Sequence, residues 1–188
     1  MINFCLINEG KEMNTKDLMN TALKLAGLTQ MPADTDIHVA GEDIKNVLIG
    51  IDMETPELLL ARDLGYDCVV SHHPKADAPV INFAQVMDVQ IDRMVKEGVP
   101  INKAQKALRK KQKSIELSRH ATNYDRVSSA ARLMNMPYLT IHIPADFITE
   151  EIVQTHLDKT FENNEKKKLK DVINALNDMD VYQNVLAT

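Results

Sequence analysis

The sequence predicts an α/β protein, with a mostly parallel sheet built on a βαβ unit and covered by helices. Three observations predict this class. Short β-prone apolar runs alternate along the chain with amphipathic stretches of helical spacing. The segment between runs 46–51 and 67–71 carries the start and stop signals of a short helix. The chain has 188 residues, 44% of them apolar and 26% charged, which suits one hydrophobic core or one large lobe.

In chain order, residues 1–13 read as an extension unlike the rest. Gly10-Lys11-Glu12 before Met13 resembles a translated purine-rich stretch, which makes Met13 a candidate start. The first helix opens at Asn14 or Thr15 as cap, with Asp17 in its positive first turn. Leu18, Ala22 and Leu25 form its apolar stripe up to Gly27. Runs 37–40 and 46–51 are β-prone and joined by the polar turn Gly41-Glu42-Asp43. Thr55-Pro56-Glu57 reads as N-cap, first-turn proline and first-turn acid of a helix reaching Gly65. Run 67–71, centred on Cys68-Val69-Val70, is a buried strand. Two strands joined by one helix pair in parallel through a right-handed crossover.

Residues 81–134 read as helical. Phe83, Val86, Met87, Ile91, Met94 and Val95 keep helical spacing up to Gly98, and Pro100 and Asn102 open a further helix extending past Tyr124. Residues 138–143 alternate strictly, with Leu139, Ile141 and Ile143 on one face and Tyr138, Thr140 and His142 on the other. A helix through Ile148, Ile152, Val153, Leu157 and Phe161 follows, then a polar linker at 162–168 and a last helix through Leu169, Val172, Ile173 and Leu176. The expected organisation is therefore an extension at 1–13 and an α/β lobe at 14–161. The linker and helix at 162–188 would then lead into a second lobe.

Composition removes several function classes. No apolar stretch approaches the length of about 20 residues that crosses a bilayer, and the N-terminus has no secretory pattern. Two cysteines without CxxC spacing provide neither a disulfide framework nor a thiolate zinc site, so the expected compartment is the cytoplasm. Against 27 acids stand 22 basic residues, and the net charge of −5 argues against nucleic acid as the main partner. Lys103 to Arg119 nonetheless holds seven basic residues and one acid. That run is either a solvated helix face or a patch for phosphate-bearing ligands or an acidic partner. No Walker-type loop or GxGxxG occurs. Any phosphate would be held by metals and by side chains such as Arg126 or Arg132.

Ser71-His72-His73-Pro74 is the most informative motif. It sits where the buried parallel strand ends, and ligands of α/β sheets gather outside the carboxyl ends of strands. Pro74 stops the strand and lets the backbone turn, so both imidazoles can reach one cleft. They would serve there as ligands of a borderline metal, or else as hydrogen-bonded caps of the sheet edge. A second stretch, His120-Ala121-Thr122-Asn123-Tyr124-Asp125, offers the carboxylate that such ions favour, with Asp125 best placed ahead of the small residues Ser128-Ser129-Ala130-Ala131. Asp52, at a strand end, is a candidate cleft carboxylate. His142 either lines the cleft or is a surface or hydrogen-bonded residue. His38, on an edge strand, and His156, on a helix turn, read as solvated. The ten methionines fall mostly on apolar stripes and fill the core.

These residues carry a resemblance. Gly50-Ile51-Asp52, the Thr-Pro-Glu helix and Leu64-Gly65-Tyr66-Asp67-Cys68-Val69-Val70-Ser71-His72-His73-Pro74 resemble the Nif-three-like family, the GTP cyclohydrolase I type 2 homologues. His120 to Asp125 is similar to that family's His-Thr-Asn-x-Asp motif with one residue inserted, and Ala130 to Met136 resembles the segment after it. The similarity spans roughly residues 36–145. It implies the N-terminal lobe of that fold and a dinuclear divalent-metal site of zinc, iron or manganese. His72, His73 and Asp125 would be metal ligands, and His120 a cleft residue able to carry a proton. The family's later His-x-x-x-Glu motif has no counterpart here, since His156 is followed by Leu157-Asp158-Lys159-Thr160. The expectation is then weak or absent metal in this chain alone.

Three functions follow. The first is a metal-dependent hydrolase acting on a nucleotide or related small molecule. The second is a metal-binding adaptor or metal-handling protein using the same cleft. The third is a scaffold whose helices bind a partner. The expected partner is a second copy of the chain, through the surface of Met87 to Met94, Met134 to Met136 and the helix at Leu169 to Leu176; no membrane is expected.

Overall fold

Five strands among the described residues form one sheet: β1 (Ile2–Cys5), β2 (Asp36–Val39), β3 (Asn46–Gly50), β4 (Cys68–Ser71) and β5 (Tyr138–Thr140). Their order is β1-β3-β4-β5-β2, with β3, β4 and β5 parallel and the two edge strands antiparallel to their neighbours. The computed structural model describes residues 2–5, 13–162 and 167–182. The described residues also form eight α-helices: α1 (Thr15–Leu25), α2 (Thr55–Asp63), α3 (Asp77–Ile81), α4 (Val86–Lys96), α5 (Ile101–His120), α6 (Arg126–Met134), α7 (Ile143–Thr160) and α8 (Leu169–Asn177). The chain divides into two compact units, residues 1–145 and 146–188. The whole sheet belongs to the first.

The βαβ unit is β3-α2-β4, in register Val47↔Cys68 through Gly50↔Ser71. Its helix starts where Pro56 fits the first turn and the Glu57 carboxylate accepts the Glu54 amide at 2.8 Å. It ends at Gly65, whose φ of +78° needs no Cβ relief. The Gly65 amide reaches the Arg62 carbonyl at 3.1 Å and the Tyr66 amide reaches that of Ala61 at 2.9 Å, so the helix closes and the chain enters β4. At the start of β4 the Asp67 carboxylate accepts the amides of Lys45 and Asn46 at 3.0 and 2.8 Å, pinning β3 against it.

Both faces of the sheet are covered, and strand alternation decides what each buries. Leu48, Val69 and Tyr138 point to α2 and α6, where they meet Leu58, Ala61, Val127 and Ala131. Val47, Cys68, Val70 and Leu139 point the other way, to Leu18 and Met19 of α1. This two-sided burial makes β4 apolar throughout, as parallel strands between helix layers are. It also lifts the Cys68 thiol to a pKa of about 12, so that cysteine is inert at neutral pH.

Four expectations change. The extension contributes an edge strand, because Ile2–Cys5 pairs antiparallel with β3; the rest of residues 1–12 lies outside the described residues. The last strand stops at Thr140 instead of running to residue 143, because Pro144 favours a helical first turn and Ile143 already starts α7. Both of its faces are buried, so neither meets solvent. Helix α5 ends at His120, short of Tyr124, where the Thr122 amide closes a tighter turn on the Arg119 carbonyl at 3.1 Å. Met136 is buried and Met134 packs against the same core, so that pair is not available as an outer surface. Part of the linker at 162–168 lies outside the described residues. Among the described residues no helix is long and apolar enough to cross a membrane.

Candidate metal centre

The carboxyl ends of β4 and β5 bring three imidazoles together. His72 and His73 follow β4 directly; their amides still bond to the carbonyls of Gly50 and Ile51, each at 2.8 Å. Ser71 fixes the turn that follows: its hydroxyl donates to the His73 carbonyl at 2.8 Å and accepts the Met53 amide at 3.2 Å. Pro74, without an N–H, ends the pairing there. His142 arrives two residues beyond β5, as the chain turns into α7. The three rings stand as a cluster, with centroids 5.0 Å apart for His72 and His73, 4.7 Å for His72 and His142, and 5.9 Å for His73 and His142. One ligand nitrogen from each lies within 4.8 Å of the others.

Each ring is oriented through Nδ1. His142 donates to the Asp34 carboxylate at 2.6 Å, and Asp34 is completely buried. Thr35 completes that support, since its hydroxyl donates to Asp34 at 3.3 Å and accepts the His142 amide at 3.3 Å. His73 donates to Asp52 at 2.9 Å, and His72 reaches the Ile141 carbonyl at 3.4 Å. Carboxylates and carbonyls only accept, so in each neutral ring Nδ1 carries the proton and Nε2 the lone pair. Metal-ligating histidines show this arrangement: an acceptor behind one nitrogen fixes the tautomer and aims the other. The donor set fits a divalent ion of borderline softness. A tetrahedral zinc with bonds of about 2.0–2.1 Å keeps its nitrogens about 3.4 Å apart, and one nitrogen from each of the three rings lies within 4.8 Å of the others.

A chain of charges leads away from the cluster. Lys75 bonds Asp52 at 2.7 Å and Glu54 at 3.4 Å, and Glu54 also takes the Arg126 guanidinium. The Lys75 ammonium and then His73 hold the Asp52 carboxyl below its ordinary pKa, so it stays ionised behind His73.

The structure places the expected residues unevenly. His72 and His73 join one group, and His142 completes it. Asp52, the candidate cleft carboxylate, stands behind His73 with its own side chain largely exposed. Asp125 is exposed at the head of α6 and lines a shallow depression with Glu54, Thr55 and Arg126, outside the three-imidazole group. His120 is exposed at the end of α5. Arg126 and Arg132, candidates for holding phosphate, are paired with Glu54 and Asp77. His38 is buried, not solvated: Thr140 donates to its Nε2 at 2.8 Å, its Nδ1 donates to Asp77 at 3.1 Å, and its ring stacks on Tyr138 at 5.0 Å. His156 is half-buried and donates to the Ala175 carbonyl at 2.7 Å. Asp34 had no sequence signal, since it lies in a polar loop 108 residues from its partner.

No family model matches the chain, and no curated protein matches it. Among solved structures it is similar to a NIF3 superfamily protein from Sphaerobacter thermophilus, at 34% identity and a TM-score of 0.85. The match covers 89% of this chain and 61% of that one, so this chain spans about three-fifths of its relative's length. With a parallel β3-β4-β5 core, α2 and α6 on one face and histidines at the strand exits, the chain has the NIF3 superfamily fold.

Proposed function

We propose that this chain is a divalent-metal-dependent, hydrolase-like protein that acts on a nucleotide or related small molecule beside His72, His73 and His142. One observation carries the reading: three imidazoles converge at the sheet's carboxyl end, each with Nδ1 on an acceptor. A structural histidine such as His38 also sets Nδ1 on a carboxylate, but its Nε2 is taken by Thr140 and no other imidazole of the cluster stands beside it. Bound there, a divalent ion supplies a Lewis acid and lowers the pKa of water toward neutrality.

The chain's own side chains hold and aim. Asp34 fixes His142 from a fully buried position, and Asp52, kept ionised by Lys75, fixes His73 at the open side. His120 as proton carrier and Asp125 as a further ligand belong to the same proposal on the Nif-three-like resemblance. Their segment is tied to the histidine loop, since the Asp77 amide donates to the Tyr124 carbonyl at 2.8 Å. In the dinuclear form, Asp125 and ligands from outside this chain would hold a second ion. Self-association is proposed with it. The second reading is a metal-handling protein, favoured by the exposure of His73 and Asp52, whose side chains are 46% and 54% accessible.

The test loads the chain with zinc, iron(II) or manganese(II) and screens nucleotides and simple phosphate esters for turnover. The hydrolase reading expects turnover that disappears in His142→Ala together with the metal. Metal bound at His142 without turnover on any of these classes would favour the handling role instead.

A further inference from the structure

We infer that Arg119 is an oxyanion-binding residue of this cleft, set one phenyl ring away from the histidine cluster to hold the phosphate or carboxylate of a small-molecule ligand. Phe83 links the two: its ring meets His142 edge-on at 5.5 Å, and the Arg119 guanidinium carbon lies over the same ring at 5.1 Å. Two short elements produce this placement. Phe83 comes from the 3-10 turn Phe83–Gln85 ahead of α4, and Arg119 from the last turn of α5.

What singles out Arg119 is its unfilled bonding capacity. The cations around the histidine loop already have acids: Lys75 has Asp52 and Glu54, Arg126 has Glu54, and Arg132 has Asp77. Arg119 has no carboxylate among the described residues, and its Nε is buried without any hydrogen-bond acceptor. Buried donors without partners are rare in folded proteins, and each one asks for an explanation. The guanidinium carbon lies over the Phe83 ring, and its five N–H groups all lie on the guanidinium's edge. That edge matches the two oxygens of a phosphate or carboxylate in a bidentate pair. The missing acceptor is thus the ligand's own oxyanion. The other end of that ligand would reach His142.

The orientation of the ligand rests on the metal reading proposed above, whereas the oxyanion contact does not, and the experiment separates them. Inorganic phosphate and, separately, acetate are titrated calorimetrically into the full chain, with and without one equivalent of zinc, for wild type, Arg119→Met and Arg119→Lys. Thermal unfolding and zinc content are measured on each. The expected result is phosphate or acetate affinity that falls about tenfold or more in Arg119→Met, with zinc content and unfolding temperature unchanged. Arg119→Lys keeps the charge but loses the fork, so it should retain only part of the affinity. If Arg119→Met does not fold, the deficit of Arg119→Lys is the deciding measurement. Which anion shows the effect tells phosphate from carboxylate. Wild-type zinc binding that fails would sink the metal reading alone. Equal affinity across the three proteins, or no binding of either anion in any state, would overturn the role of Arg119.

Discussion

Two buried histidines, one on β2 and one just beyond the neighbouring β5, do different work. His38 on β2 uses both ring nitrogens for structure, accepting from Thr140 and donating to Asp77, while its face stacks on Tyr138. His142 beyond β5 also donates to a buried carboxylate, Asp34, yet its ring stands in a cluster with His72 and His73. Burial and a carboxylate partner are common to both. What separates them is company: His38 is surrounded by groups that satisfy it, and His142 by two more imidazoles. A histidine becomes a site when its neighbours are ligands too.

The Asp77 half of this contrast is a clamp. Asp77 adopts a left-handed backbone, φ +53°, and its carboxylate receives Ser128 at 2.6 Å, Arg132 at 3.1 Å and His38 at 3.1 Å. These contacts tie the segment after Pro74 to α6 and β2. The largest expected effect therefore belongs to the structural histidine. His38→Ala should cost roughly 2–4 kcal/mol of stability, since it strips partners from Asp77 and a buried hydroxyl. Urea unfolding would show this, with metal affinity per folded molecule little changed; a comparable loss of metal affinity would break the contrast.

Asp34→Asn tests the other side. It keeps the shape behind His142 but removes the charge, and the expected loss is about 10–100-fold in metal affinity by competition with a chelator. An unchanged constant would mean that Asp34 serves folding alone.

The pH dependence sharpens the comparison further. Burial lowers the His38 pKa from 6.5, outweighing Asp77 and Asp36, which raise it, and acting with Arg132, which lowers it too. The unfolded chain therefore binds a proton below about pH 6.5 that the folded chain resists. Stability should fall as pH drops from there toward the lowered folded value, and His38→Gln should flatten that slope. Parallel slopes for the two proteins would contradict it. The smallest effect is expected at the exposed support: Asp52→Asn should weaken metal binding only about 2–5-fold, because solvent screens that side. A loss as large as that of Asp34→Asn would show that exposure matters less than charge.

Most of the sheet was legible, and the reasons are local. Thr55-Pro56-Glu57 and Gly65 bracket a helix, and the runs either side are apolar enough to be central strands. His72 and His73 were legible because Pro74 ends a buried strand at a place where ligands gather. The position of His142 was half-legible: alternation put it beyond Thr140, but Pro144 turns the chain before the pattern finishes. Asp34 and the burial of His38 depend on contacts 108 and 102 residues away, which no local pattern encodes. Asp125 shows the converse, a residue prominent in a motif that stands on an exposed helix start outside the imidazole group.

His72, His73 and His142 are proposed to form one metal site. Cobalt(II) titration followed by visible absorption measures it directly, because intensity and shape of the bands report coordination number. The sequence alone, lacking the family's later motif, leads to weak or absent metal, whereas the three-imidazole group leads to about one equivalent bound in a tetrahedral or five-coordinate environment, released by chelator, and absent in His142→Ala. No binding by the wild-type chain, or the same spectrum in His142→Ala, would contradict it.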